Sequence, residues 1–376
     1  MHLWVALMIV VFNMLGMRGS KIIVSLLALE LGASQFFVGV IVALYSLVPM
    51  FLGLYAGALI DRIGVKWPII LGSLGLMSGL LIPGISPTLP MLIVSAAAIG
   101  AAHIFYNVSI QSLIGMLSRK EDRARNFSNF AMMMSVSGFL GPMIAGYLID
   151  HAGHSQAYLF LALGPLSGAI IMLVLGREPP EGDGAKRKEE HTHHGFGLFT
   201  YKGLRRVIIV SAILLTGIDL LQFYMPIYGH SIGMSASKIG MILGAFSAAA
   251  FVVRIWMPAI VKRLGENKVL TVALGVAAVT YVIIPWLKDP WLLATCTFVL
   301  GLGMGCCQPL AMMMIFNRAP EGQSGEALGL RQTINHFTHM AVPLTFGALG
   351  TFFGVAPVFI ITSVMLGASG VLINKR

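Results

Sequence analysis

Apolar runs long enough to cross a membrane as helices follow one another along the chain, separated by short turns where charges, glycines and prolines collect. A helix crosses a bilayer with roughly 20 apolar residues. It keeps its backbone hydrogen bonds within the segment, as surrounding lipid requires. The pattern predicts twelve spans, at 3–31, 36–60, 67–84, 90–117, 127–150 and 156–176, then 205–230, 236–261, 268–288, 290–315, 326–353 and 355–373. The two-residue alternation of barrel strands is absent. Between the two sets of six, residues 177–204 are polar, charged and rich in Gly and Pro, the composition of a flexible linker. The expected architecture is an all-α polytopic membrane protein, with one six-helix half over 1–176, a cytoplasmic linker over 177–204 and a second half over 205–376.

Composition removes the soluble alternatives. Hydrophobic residues make up 57% of the chain and charged residues 11%, with a mean hydropathy of +0.86, whereas about a quarter of the residues in a soluble domain are charged. A net charge of +10 would point to nucleic acid in a soluble protein, so its placement decides its meaning. All but six of the 25 Lys and Arg residues fall in loops and ends assigned to the cytoplasm. Lys238 and Lys288 lie in outer loops, and Arg18, Lys21, Arg254 and Arg331 in or at the edge of spans. The positive-inside rule therefore orients both termini and the linker toward the cytoplasm, in a membrane such as the bacterial inner membrane, and no nucleic-acid partner is implied. Residues 3–17 lack the basic start and small-residue cleavage site of a signal peptide and are assigned to the first span. Cys296, Cys306 and Cys307 all fall in predicted spans and imply no disulfide framework.

An internal repeat organises the chain. Gly57-Ala-Leu-Ile-Asp61-Arg62-Ile-Gly64-Val-Lys66 returns as Pro258-Ala-Ile-Val-Lys262-Arg263-Leu-Gly265, and the stretch from Gly138 through Gly141 and Pro142 to Gly146 returns around Pro343 and Gly347. Both matches have an offset of 201 residues, the mark of a duplicated chain. The stretch around Asp61 resembles the G-x-L-x-D-R-x-G-[RK]-[RK] motif between the second and third helices of the major facilitator superfamily, and the stretch around Pro142 is similar to the fifth-helix G-P motif of that family. The resemblance covers nearly the whole chain. It implies twelve helices in two six-helix halves around a central site, and solute transport by alternating access. It also implies that Gly57, Asp61, Arg62 and Gly64 close the cytoplasmic side in one state. Gly141 and Pro142 read as a helix-packing hinge. Lys262 in place of Asp61 and Pro258 in place of Gly57 imply a weaker second gate.

Transport breaks no bonds, so the candidate residues are ionisable and hydrogen-bonding groups at mid-depth. A basic residue there costs about 2.5 to 3.5 kcal/mol on the mildest scale and should face water or a partner. The 201 offset matches Arg18 with Asp219, Lys21 with Gln222 and Asn107 with Gln308. Arg18 and Asp219 are expected at equal depth, Arg18 binding the anionic group of a solute and Asp219 supplying an alternate partner and taking up a coupling proton. In the fourth span His103, Asn107 and Gln111 repeat every four residues on one face, with Tyr106 beside them. The eleventh span carries Arg331, Asn335 and His339 on one stripe, with Gln332 and His336 adjacent. Arg331 lies near the cytoplasmic end and reads as a gate or headgroup residue. His336 and His339 have metal-ligand spacing, yet no Cys or carboxylate in that span completes a site, so proton handling is the better reading than metal binding, with buried neutral packing equally open. Arg254 in the eighth span needs a partner from another helix or from a solute. His191, His193 and His194 sit in the linker, where a solvated loop explains them.

Among these groups the mid-depth cations outnumber the one carboxylate, which favours a small organic anion as the solute. The competing reading is proton-coupled efflux of drugs or other amphiphiles, suggested by the fifth-helix G-P motif and the abundant Met and Phe. Against it, antiporters of that kind usually carry an arginine in the fourth helix, and residues 90–117 contain no Arg or Lys. No Walker-type phosphate loop is present, so an ion gradient or the solute's own gradient must supply the energy. No H-E-x-x-H metal motif occurs, no resident cofactor or metal is expected, and an enzyme is disfavoured. The expected partners are a solute, protons or a counter-ion, and lipid, with the protein acting as a monomer.

Overall fold

The structure is a computed structural model that describes residues 3–118, 122–176, 200–318 and 324–374. Every long element among them is an α-helix. In order they are α1 (Leu3–Glu30), α2 (Gln35–Ile63), α3 (Lys66–Ile85), α4 (Leu89–Met116), α5 (Arg123–Leu175), α6 (Lys202–Ser231), α7 (Ala236–Leu264), α8 (Glu266–Ile283), α9 (Pro290–Met304), α10 (Cys307–Arg318), α11 (Ser324–Phe353) and α12 (Val355–Asn374), with a 3-10 turn at Ile284–Trp286 between α8 and α9. Most of the linker, 177–199, lies outside the described residues.

Two helices depart from the one-run, one-span pattern. α5 holds 53 residues, about twice what a crossing needs, and contains the predicted fifth and sixth spans. Gly153 turns the chain between them at φ 83, a backbone conformation that a side chain would oppose. The tenth span, expected as one helix over 290–315, is instead broken at 305–306 into α9 and α10. Glycines at 301, 303 and 305 weaken the helix there. Gly305 also lies so close to Ala250 of α7 that a Cβ would collide with its backbone. Among the described residues ten segments have the length and apolarity to cross a membrane, one of them running from α9 across the break into α10. Counting α5 twice and adding the 30-residue α11 gives twelve spans.

The chain forms two compact units. The first comprises Met1–Ala33, Leu44–Glu190 and Ser235–Gly240; the second comprises Ser34–Ala43, His191–Met234 and Met241–Arg376. In the first, α1 packs on α5 and α3 on both α4 and α5. In the second, α12 packs on α8 and α6, and α6 on α10 and α11. Large apolar side chains are left exposed, among them Leu71, Val174, Trp286 and Val364. Lipid accounts for that surface, since a soluble monomer rarely exposes so much.

The offset of 201 is a contact offset as well as a sequence offset. In the first unit the Asp150 carboxylate accepts the N–H groups of Ala236 at 2.9 Å and Ser237 at 2.8 Å, in the open first turn of α7. In the second unit Thr351 Oγ1 accepts the N–H of Phe36 at 3.0 Å, in the first turn of α2. The close approaches repeat too. A Cβ on Gly240 would strike the Pro142 carbonyl in the first unit, and one on Gly39 the Pro343 carbonyl in the second. Asp150 and Thr351, Ser237 and Phe36, Gly240 and Gly39, and Pro142 and Pro343 each stand 201 residues apart. Gly64 and Gly265 likewise both end a helix at positive φ.

Candidate functional site

In the first unit the largely apolar α1 carries its two basic residues, Arg18 and Lys21, near its middle, with Ser20 between them. The Lys21 ammonium stands over the Tyr45 ring at 5.9 Å, and the Tyr45 hydroxyl donates to Ser20 at 3.1 Å, fixing the ring. A cation over an aromatic face gains about 0.5 to 2 kcal/mol, more as water is excluded. Arg18 is half-buried where α5 comes close: a Cβ on Gly141 would lie 3.0 Å from that of Arg18. Gly141 therefore sets the distance between α5 and the turn of α1 that carries the charge.

The stripe on α4 divides. His103, Asn107 and Gln111 are half-buried. Tyr106 is fully enclosed, its hydroxyl donating to the Ile9 carbonyl of α1 at 3.3 Å. Its neighbourhood is helix packing, which adjacency in sequence did not reveal.

In the second unit α6 and α11 bring Asp219 and His339 together, with Nδ1 2.5 Å from Oδ2. The Asp219 side chain is 12% exposed and that of His339 35%. The pair links residues 120 positions apart, so sequence spacing could propose each residue but not their contact. Beside it the Tyr281 hydroxyl of α8 donates to the Gly217 carbonyl, two residues from Asp219. Gln222 and His336 are half-buried, and Asn335 is buried.

Two arginines singled out within the spans of this unit, Arg331 and Arg254, are held by protein groups. Arg331 is buried, its Nε donating to Ser211 Oγ at 2.9 Å and its terminal nitrogen to Gln308 Oε1 at 3.4 Å. Arg254 Nε donates to the Gly305 carbonyl at 2.9 Å, at the break between α9 and α10. Pro309, four residues on, has no N–H to give that carbonyl, and Arg254 supplies the missing donor. Ser211, Tyr281 and Gly305 were missed from sequence: a lone hydroxyl or glycine in a span carries no distinguishing pattern.

Of the proposed gate, Gly57, Asp61 and Arg62 lie in α2 with side chains outside the described residues, and Gly64 ends that helix. Residues 191, 193 and 194 lie outside them altogether. One string of the form G-x-S-x-G does occur, from Gly229 to Gly233. It closes α6, and Ser231 Oγ donates to the Tyr228 carbonyl in its own turn at 2.8 Å. A nucleophile elbow would instead sit between a strand and a helix.

The family model described as "Major Facilitator Superfamily" matches residues 6–343. The chain belongs to the major facilitator superfamily. Within this superfamily it is similar to the quinolone resistance protein NorA of Staphylococcus aureus (strain COL), 23% identical over 353 residues that cover 92% of this chain and 89% of the relative. It is also similar to the multidrug resistance protein MdtG of Escherichia fergusonii, 22% identical over 321 residues, 82% of this chain and 76% of that one. Among solved structures, the nucleoside transporter NupG matches with a TM-score of 0.81 at 14% identity, covering 100% of both chains. The peptide transporter POT matches with a TM-score of 0.81 at 15% identity, covering 99% of this chain and 93% of that one. These structural likenesses establish the superfamily fold. The protein is an integral membrane transporter of that superfamily.

Proposed function

We propose that the protein is a secondary active transporter that moves a small organic solute bearing an anionic group by alternating access, coupled to protons, in a bacterial inner membrane with both termini cytoplasmic. The reading rests mainly on the half-buried Arg18 and Lys21 in the first span. Basic groups at this depth are costly unless they meet water, a partner or a solute. Arg18 and Lys21 lie three residues apart on α1, the spacing that brings two side chains to one helix face, where a single anionic group can meet both. His103 and Asn107 would line the solute's path, and Asp61 and Arg62 would form the cytoplasmic gate.

A second reading, export of drugs or other amphiphiles, draws on relatives named for quinolone and multidrug resistance. The two readings part on Arg18. Purified protein would be screened by thermal shift against carboxylates and cationic dyes at two pH values, because a ligand of the folded state raises stability by mass action. Stabilisation by carboxylates that Arg18→Gln abolishes supports the anion reading. Stabilisation by dyes alone, unchanged in Arg18→Gln, favours export of amphiphiles and contradicts it.

A further inference from the structure

We infer that Asp219 and His339 form a proton-binding dyad in which the proton is taken by His339 at Nε2 while Asp219 keeps its charge. The inference deepens the proton-coupled reading, which it needs only to give the dyad its place in a transport cycle.

The geometry assigns the roles. Nδ1 lies 2.5 Å from Asp219 Oδ2, and opposite an ionised carboxylate, which only accepts, a neutral imidazole holds this contact with its hydrogen on Nδ1, donated to Oδ2. The hydrogen bond made by one ring nitrogen sets the state of the other, which leaves Nε2 as the basic atom. Protonation forms an N–H bond at Nε2 and breaks an O–H bond of hydronium, leaving water. The Nδ1–H bond stays in place, and the pair passes from a charge of −1 to neutral. Exposure agrees, since His339 is 35% exposed and Asp219 12%. The more accessible partner receives the proton, and the more enclosed one stabilises the resulting imidazolium.

The surrounding groups leave one competitor. On α11, Arg331 lies eight residues away and is bound to Ser211 and Gln308. Tyr281 of α8 gives its hydrogen to the Gly217 carbonyl, and Tyr224 of α6 donates to the Phe346 carbonyl at 2.8 Å. α10 contributes Cys307 and Arg318, the latter on Asn267 at 2.8 Å, while α12 contains no titratable residue. The competitor is His336, one turn from His339 on α11. Two imidazolium groups at that spacing repel, so the cluster takes one proton, and the carboxylate directs it to His339.

The test uses full-length protein in lipid nanodiscs, without solute, with histidine rings labelled for NMR and carboxyl groups followed by infrared difference spectroscopy. His339→Gln and His336→Gln assign the ring signals. In spectra recorded from about pH 8 down to 5, the dyad predicts that, of the two rings, His339 is the first to gain a second N–H. Asp219→Asn should then cut the imidazolium-to-imidazole ratio of His339 about tenfold or more at about pH 6.5, whereas Asp219→Glu should preserve it. No protonated-carboxyl band that disappears in Asp219→Asn should be seen in this range. Such a band would place the proton on Asp219 and overturn the inference. Titration of His336 alone, or of neither ring, would overturn it too. Because no transport is measured, a titrating dyad in a protein whose flux ignores pH would sink the proton-coupled function and leave the dyad standing.

Discussion

At one set of matched positions the two units use the same contacts, and at another they differ in kind. Asp150 and Thr351 both cap the first turn of another helix, and Gly240 and Gly39 both admit a proline carbonyl. Elsewhere in the two units, at the same offset, Arg18 is matched by Asp219, Gly138 by His339, Phe130 by Arg331 and Ile104 by Gly305. The helix α4 runs through Ile104, whereas its counterpart is broken at Gly305. Backbone packing tolerates few alternatives, so both copies solve it alike. A polar group at mid-depth needs only a partner, and the copies have acquired different ones.

The largest effects should come from the shared packing. Leucine at Gly240 or Gly39 would force a side chain against a carbonyl, at a cost of about 1 to 3 kcal/mol or more. Similar falls in the unfolding temperature of Gly240→Leu and Gly39→Leu are expected. Tolerance of one and not the other would break the symmetry of the comparison.

The mid-depth difference comes next. Arg18→Gln should weaken an anionic solute about 100-fold, since loss of a charge-assisted contact is worth about 1.5 to 3 kcal/mol. The charge-free Gln222→Ala, at the position matched with Lys21, should weaken it far less. Calorimetric titration of the solute found by screening reads both, and equal losses would erase the distinction.

The caps sharpen the comparison further. Asp150 accepts two backbone N–H groups and Thr351 one. Loss of a helix cap costs about 0.5 to 2 kcal/mol, and bonds to a charged acceptor are the stronger. Asp150→Ala should therefore lower stability more than Thr351→Ala in paired chemical denaturation. The smallest effect on binding is expected at the gate: Asp61→Asn should slow the conformational cycle, seen as reduced flux at unchanged solute affinity. Loss of folded protein from the membrane would make Asp61 a structural residue instead.

Much of the architecture could be read in advance because lipid makes helix length and apolarity obligatory, so the spans and the motif around Asp61 stand out in the chain. The repeat was visible at Pro142 and Pro343, where backbone contact restricts the residue type. The break at Gly305 was not, because spaced glycines also suit close packing of an unbroken helix. Tyr106 shares a turn with His103 and Asn107, yet a single turn cannot show which side chain folds back onto α1. The Asp219–His339 contact escaped for another reason: sequence indicates the depth of each residue and not its partner.

The most direct test of proton-coupled anion transport is proton movement on solute addition to proteoliposomes carrying a trapped pH dye. A carboxylate selected by the thermal screen should move protons in wild-type protein, fail to do so with Arg18→Gln, and cross without proton movement with Asp219→Asn. Unchanged proton movement in both variants, or movement driven only by cationic dyes, would contradict the account.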